Sequence, residues 1–228
     1  RGWETASLSY TQDSSKGVGS MFKSLAIGAI GVRASLAQAA ELAAQHGFDA
    51  VHISLAEVEQ LGVDRARDIL DAANVRPAAF GLPLDYKAAE AEFETRLAAL
   101  PAQCELAQAL GLNRTSTWIP SWHDEMDFPA NYAFHKDRLG RVAAILQDYG
   151  IRFGLEFLGP KTLRDGKRYT FIHTLHGMLE LARDLGTSNV GLLFDAFHWY
   201  TSDATLADLG RLSDADVVEV HVNDAVAG

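Results

Sequence analysis

One phrase recurs four times along this chain: a stretch of helical period, a glycine, a short connector and an apolar run rich in β-formers. It appears as QHGFDAVHIS, ALGLNRTSTW, DYGIRFGLEF and DLGTSNVGLL. Gly47, Gly111, Gly150 and Gly186 stand where a residue free to take positive φ ends a helix and lets the chain turn back as a strand. A chain that repeats this phrase builds βαβ units, and βαβ units build a parallel sheet. The spacing predicts strands at Leu25–Ile30, Ala50–Ser54, Ala78–Leu82, Thr115–Ile119, Arg152–Leu158, Val190–Phe194 and Val217–Val222. Helical period separates them at 34–46, 63–73, 86–110, 131–149, 172–185 and 204–212.

Seven strands and six helices fall one unit short of an eightfold closed sheet. The open doubly wound alternative calls for a Gly-rich phosphate turn after an early strand. GAIGVR has the wrong spacing for it. The reading is therefore a TIM-type (β/α)8 barrel over residues 21–228, apparently lacking its eighth strand-helix unit. Residues 1–20, RGWETASLSYTQDSSKGVGS, show no period and precede Met21. They are expected to be a disordered or cloning-derived tail, and they contain no signal-peptide core.

Composition narrows the function classes. Of 228 residues, 48% are hydrophobic and 22% charged, enough apolar surface to offset the entropy of ordering. No run approaches the ~20 apolar residues of a membrane helix, so no membrane role is expected. A lone cysteine, Cys104, excludes an intrachain disulfide and points to the cytoplasm. The formal charge of −10 repels a phosphate backbone, so no nucleic acid is expected. The expected partner is a small molecule, and a homo-oligomer is compatible with the sequence.

In a barrel of this type, sites lie at the C-terminal ends of the strands. There the sequence places Glu156 in RFGLEFLGP, Asp195 and His198 in VGLLFDAFHWY, and His221 and Asp224 in VVEVHVND. Charges are rarely buried in strands unless paired or metal-bound. Two carboxylates and an imidazole suit one divalent ion, Mn, Mg, Co or Zn, without choosing among them. Each residue also has a structural alternative. Glu156 could pair with Arg33 or Arg114, Asp195 could cap a helix, and His221 could be a hydrogen-bonded core histidine. Glu219 shares the inward face of His221 by period 2 and needs a partner the sequence does not identify. His52, Trp118 and Trp122 are substrate-binding candidates, the tryptophans as flat walls for sugar C–H groups or as packing. His123 and Asp124 read as solvated loop. Lys161, Arg164, Lys167 and Arg168 read as a flexible basic loop, with phosphate binding the lesser alternative.

LEFLGP, FDAFHWY and VHVND, in this order and each at a strand end, resemble the xylose isomerase-like TIM-barrel superfamily of sugar phosphate isomerases and epimerases. The resemblance covers residues 21–228. It implies metal ligands at Glu156, Asp195 and His221, with manganese favoured, and catalytic roles for Glu156 as acid/base and His198 on a substrate oxygen. It further implies a metal-stabilised enediolate on a sugar, ketose or polyol-derived ketone. An inosose dehydratase-like lyase is the alternative. An endonuclease IV-like repair enzyme and a non-catalytic barrel subunit needing a partner are more distant ones. The family's strand-eight Glu has no counterpart before Gly228, so two-base epimerisation is not assignable within this sequence.

Overall fold

A computed structural model describes residues 8–12, as backbone, and 21–222. In chain order the elements are β1 (Leu8–Gln12), β2 (Met21–Leu25), α1 (Leu36–Gln45), β3 (Ala50–Ile53), α2 (Leu55–Leu61), α3 (Val63–Ala73), β4 (Arg76–Gly81) and α4 (Glu90–Ala109). They continue with β5 (Arg114–Ile119), β6 (Trp122–His123), α5 (Phe128–Asp148), β7 (Arg152–Phe157), β8 (Tyr169–Thr170) and α6 (Leu175–Asp184). The last are β9 (Val190–Asp195), α7 (Ala196–Tyr200), α8 (Leu206–Leu209) and β10 (Val217–Val222). β6 and β8 pair as a small antiparallel ribbon. The other eight strands close into a barrel in the order β1-β10-β9-β7-β5-β4-β3-β2.

Seven of those strands are parallel, as the repeated phrase requires. The eighth parallel strand-helix unit is absent among the described residues, as expected; its place in the sheet is taken by residues 8–12, which corrects the expectation of a tail there. β1 lies antiparallel between β10 and β2, with Leu8 opposite Val222 on one side and Leu25 on the other. Two open strand edges present unpaired N–H and C=O groups, and a five-residue strand answers both. The remainder of 1–20 lies outside the described residues, as does Asp224.

The strand expected at 25–30 is also corrected. β2 ends at Leu25, and Ile27–Ile30 form a 3-10 turn closed by Gly31 at φ 72°. The helix expected at 204–212 is one turn, Leu206–Leu209. The helix expected from residue 86 starts at Glu90; the segment before it is a turn in which Ala88 N–H donates to the Asp85 carbonyl and the Arg138 guanidinium binds the carbonyls of Tyr86 and Ala88. The residues starting the other helices behave as their chemistry dictates: Ser35, Ser54, Asp127 and Thr174 each accept a backbone N–H of the first turn.

The core lies between the barrel and its helices. On α5 the residues Leu139, Val142, Ala143 and Leu146 recur at helical spacing and are fully buried, as are the outward-facing Phe153, Leu155 and Phe157 of β7. Each such side chain contributes about 1.5–3 kcal/mol by leaving water. Inside the barrel, β5, β7 and β9 press so closely that a Cβ on Gly154 would come within 3.1 Å of the Leu193 backbone nitrogen and 3.3 Å of Ser116 Cβ. A glycine is therefore needed directly below Glu156.

Candidate metal centre

Period 2 puts Glu156 on the inward face of β7, Asp195 on that of β9, and Glu219 and His221 on that of β10. Three neighbouring strands thus deliver polar groups to one end of the barrel. α7 follows β9 without a loop and adds His198. Asp195 starts that helix: its Oδ1 accepts the N–H groups of Phe197 at 2.8 Å and His198 at 3.1 Å. The capping reading of Asp195 is therefore realised through Oδ1, and Oδ2 faces His221 Nδ1. Gly159, just beyond β7, makes the approach of α7 feasible, because a Cβ there would overlap the His198 carbonyl.

Asp195 Oδ2 and Glu156 Oε1 each stand 3.9 Å from His221 Nδ1, and Glu156 Oε1 is also 3.9 Å from His198 Nε2. These gaps are too long for hydrogen bonds. They are a few tenths of an ångström above the edge of about 3.3–3.6 Å that separates ligands around a small divalent ion. Ligand atoms of Glu156, Asp195 and His198 lie within 4.8 Å of one another. Buried His198 Nδ1 and His221 Nε2 make no hydrogen bond. Carboxylate oxygens and imidazole nitrogens are donors that suit a divalent ion; those gathered here belong to Glu156, Asp195 and His198, with His221 Nδ1 3.9 Å from both carboxylates and His221 also grouped with His52 and Glu219.

One layer deeper, the sequence left Glu219 without a partner, and the structure supplies it. The Glu219 carboxylate is fully buried, with His52 Nε2 of β3 at 2.5 Å, Ser116 Oγ of β5 at 3.3 Å and His221 Nε2 at 3.8 Å. His52, expected to meet substrate, is engaged by this carboxylate. The arrangement places an acidic group behind a candidate metal-binding imidazole, which favours the tautomer presenting Nδ1 to the ion.

The electrostatics follow from burial and neighbours. Burial, reinforced by Asp195 and Glu219 and opposed by His221, lifts the Glu156 carboxyl from its ordinary 4.5 to about 7. Burial would also lift Glu219, but His52 and His221 outweigh it and hold that carboxylate well below its usual range. Burial lowers His198. It acts the same way on His221, where Glu219, Glu156 and Asp195 overcome it and raise the imidazole. The site thus pairs a carboxyl able to exchange a proton near neutrality with a fixed anion beneath it.

Other sequence candidates lie elsewhere. Arg114, offered as a partner for Glu156, sits at the start of β5 and donates to the Val218 carbonyl and to Asn113. Trp118, 48% exposed, stands beside Glu156 across the β5–β7 pairing, with Lys87 Nζ 4.7 Å from its ring centroid. Trp122 lies in the β6–β8 ribbon with Lys167 Nζ 3.4 Å from its ring centroid. His123 Nδ1 accepts two backbone N–H groups, and Asp124 pairs with Lys167 at 3.6 Å. Arg164 is bound to the Gly159 and Pro160 carbonyls. Sequence reading missed the partner of Glu219 and the cavity beside His52; a buried acid on the face of His221 was the available signal.

A fold and site of this kind define a TIM-barrel protein with a carboxylate and histidine centre at the C-terminal face. The chain belongs to the xylose isomerase-like TIM barrel family, whose model matches residues 40–228. Among solved structures it is similar to a xylose isomerase domain protein from Alicyclobacillus acidocaldarius, at 30% identity and a TM-score of 0.75, covering 82% of this chain and 68% of that one. It is similar in fold to the IolI protein with a bound zinc atom, at 17% identity and a TM-score of 0.68, covering 86% and 70%. An inosose isomerase from Halalkalibacterium halodurans is 24% identical over 86 residues, which is 38% of this chain and 28% of that protein. The chain therefore matches less than a third of the length of that relative. Further fold neighbours are a D-psicose 3-epimerase and a probable 3-DHS dehydratase. Among the described residues no helix is long and apolar enough to cross a membrane.

Proposed function

We propose that this chain acts on a sugar, ketose or polyol-derived ketone as a divalent-metal-dependent isomerase or epimerase. The observation that carries the reading is the convergence of Glu156, Asp195 and His221, with Glu156 lifted to about 7. A bound divalent ion would supply Lewis acidity to a carbonyl and its neighbouring hydroxyl. Glu156 takes the proton from the carbon next to the carbonyl and returns it, the task for which a carboxyl near neutrality is suited. His198, kept neutral by burial, holds a substrate oxygen through Nε2. Asp195 ties that histidine to the centre through its cap. The proposed partner is a small polyhydroxy ketone, and the relatives that support this are an inosose isomerase and a D-psicose 3-epimerase.

A second reading rests on one observation. Glu219 is locked to His52, so Glu156 is the carboxyl at this site whose environment suits it to proton transfer among the described residues. One group suffices for elimination: Glu156 takes the proton from the carbon next to the carbonyl and passes it to the departing hydroxide, which leaves as water, and this favours a dehydratase.

Elemental analysis of the purified chain, soaked with Mn or Zn, tests both readings at their root. About one ion per chain, lost in Glu156→Gln and His221→Ala, is expected. NMR in D2O with D-fructose and an inosose then separates them: α-proton exchange with carbon skeleton and hydroxyls intact means isomerase or epimerase, and loss of water means lyase. No retained metal in the parent chain would sink both.

A further inference from the structure

A cavity of about 510 Å³ opens beside the centre, between the turn after β2 and the ends of β3, β4 and β10. That volume lies within the usual range for small-molecule sites, about 300–1,000 Å³. His52 and His221 line its half-buried inner part, so it is continuous with the metal centre. Ala26, Ile27 and Val32 form an apolar side, and the exposed Arg33 lines its outer part. Glycines keep the space clear: a Cβ on Gly28 or Gly81 would meet nothing within 4 Å.

Arg33 has no carboxylate partner among the described residues, whereas three other cations near this end of the barrel are engaged. Lys87 pairs with Asp85 at 3.1 Å, Lys167 with Asp124 at 3.6 Å, and Arg164 holds two carbonyls. The acid that also lines the cavity, Glu57, is already bound through Oε1 to the Leu36 N–H at 2.6 Å, at the first turn of α1. An unpaired guanidinium on an otherwise apolar wall presents forked donors suited to phosphate or carboxylate.

We infer that this cavity receives the far end of the substrate, and that Arg33 selects a polyhydroxy ketone carrying an anionic group there, a phosphate or a carboxylate. The inference rests on the ketone reading above. It adds that the neutral sugar is the poorer ligand.

Calorimetric titration of the metal-soaked chain with D-fructose, D-fructose 6-phosphate, D-fructuronate and inorganic phosphate tests it. One of the anionic ketoses is expected to bind at least about tenfold more tightly than D-fructose, the scale of one charge-assisted contact. Which of the two binds better identifies the group. Arg33→Ala should erase that preference, and Arg33→Lys should restore part of it. Equal binding of all three sugars by the parent, or equal weakening of D-fructose and the anionic ketoses in Arg33→Ala, overturns the inference. So does an absence of any binding. Failure of the reaction reading looks different: inorganic phosphate still binds in an Arg33-dependent way while no ketose exchanges its α-proton with solvent.

Discussion

The two ends of this barrel use their polar side chains in opposite ways. At the N-terminal end, Arg114 donates to the Val218 carbonyl, Arg152 to those of Val217 and Ala215, and Asn189 to those of Ala143 and Ile151. These donors close the seam between strands and satisfy backbone acceptors, and they face no open cavity. At the C-terminal end, Glu156 stands 3.9 Å from His198 and His221, and Asp195 3.9 Å from His221, gaps too long for hydrogen bonds. One end has been resolved into bonds within the protein. The other is held short of that, at a cost in stability and in readiness for something that is not protein.

The contrast can be broken or sharpened by substitution. Glu156→Gln should lower turnover about a thousandfold, the usual scale for a general base, while the chain still folds; steady-state rates beside a circular dichroism spectrum check this. Glu219→Ala should cost about 3 kcal/mol of stability by removing the buried carboxylate that His52 and His221 face, and denaturant melts would show it. If that loss is absent, the deeper layer belongs with the open centre and not with the closed seams. Asn189→Ala should cost about 1–3 kcal/mol with catalysis unchanged, since it strands two carbonyls far from the site.

A pH prediction separates the ends further. Folding lifts Glu156 from 4.5 to about 7, so the folded chain holds that proton more tightly than the unfolded one. The resulting stabilisation is complete below about 4.5 and is lost as pH rises through about 7. In chelator-treated protein, Glu156→Gln should therefore match the parent near pH 4 and exceed it by about 1–3 kcal/mol at pH 8. Thermal melts at the two pH values decide it, and a parent more stable than the variant at pH 8 would reverse the sign. The smallest effect is expected from Lys167→Ala, an exposed pair with Asp124, at less than about 1 kcal/mol.

The parallel strands and the polar residues at their ends were legible because both are local. A glycine after a helix and an acid inside an apolar run are visible in ten residues, and Gly150 with Glu156 shows both in one phrase. What was not legible depends on closure. His52 and Glu219 are 167 positions apart and meet across the barrel interior, so neither sequence neighbourhood announces the other. β1 is five residues long, too short to display a period, and its place is fixed by the two edges it joins. Ile27–Ile30 is apolar and β-branched at both ends, yet it turns because it covers a cavity instead of continuing a sheet.

Asp195 deserves a last consequence. Its two oxygens belong to different tasks, one gripping the amides of Phe197 and His198, the other facing His221. The carboxylate is thus a rigid lever between the centre and the short helix bearing His198. Anything that engages the outer oxygen fixes the plane of the group and, with it, the inner one. Loading of the centre should be audible in the protein as slower hydrogen exchange at those two amides, a spectroscopic readout that needs no substrate.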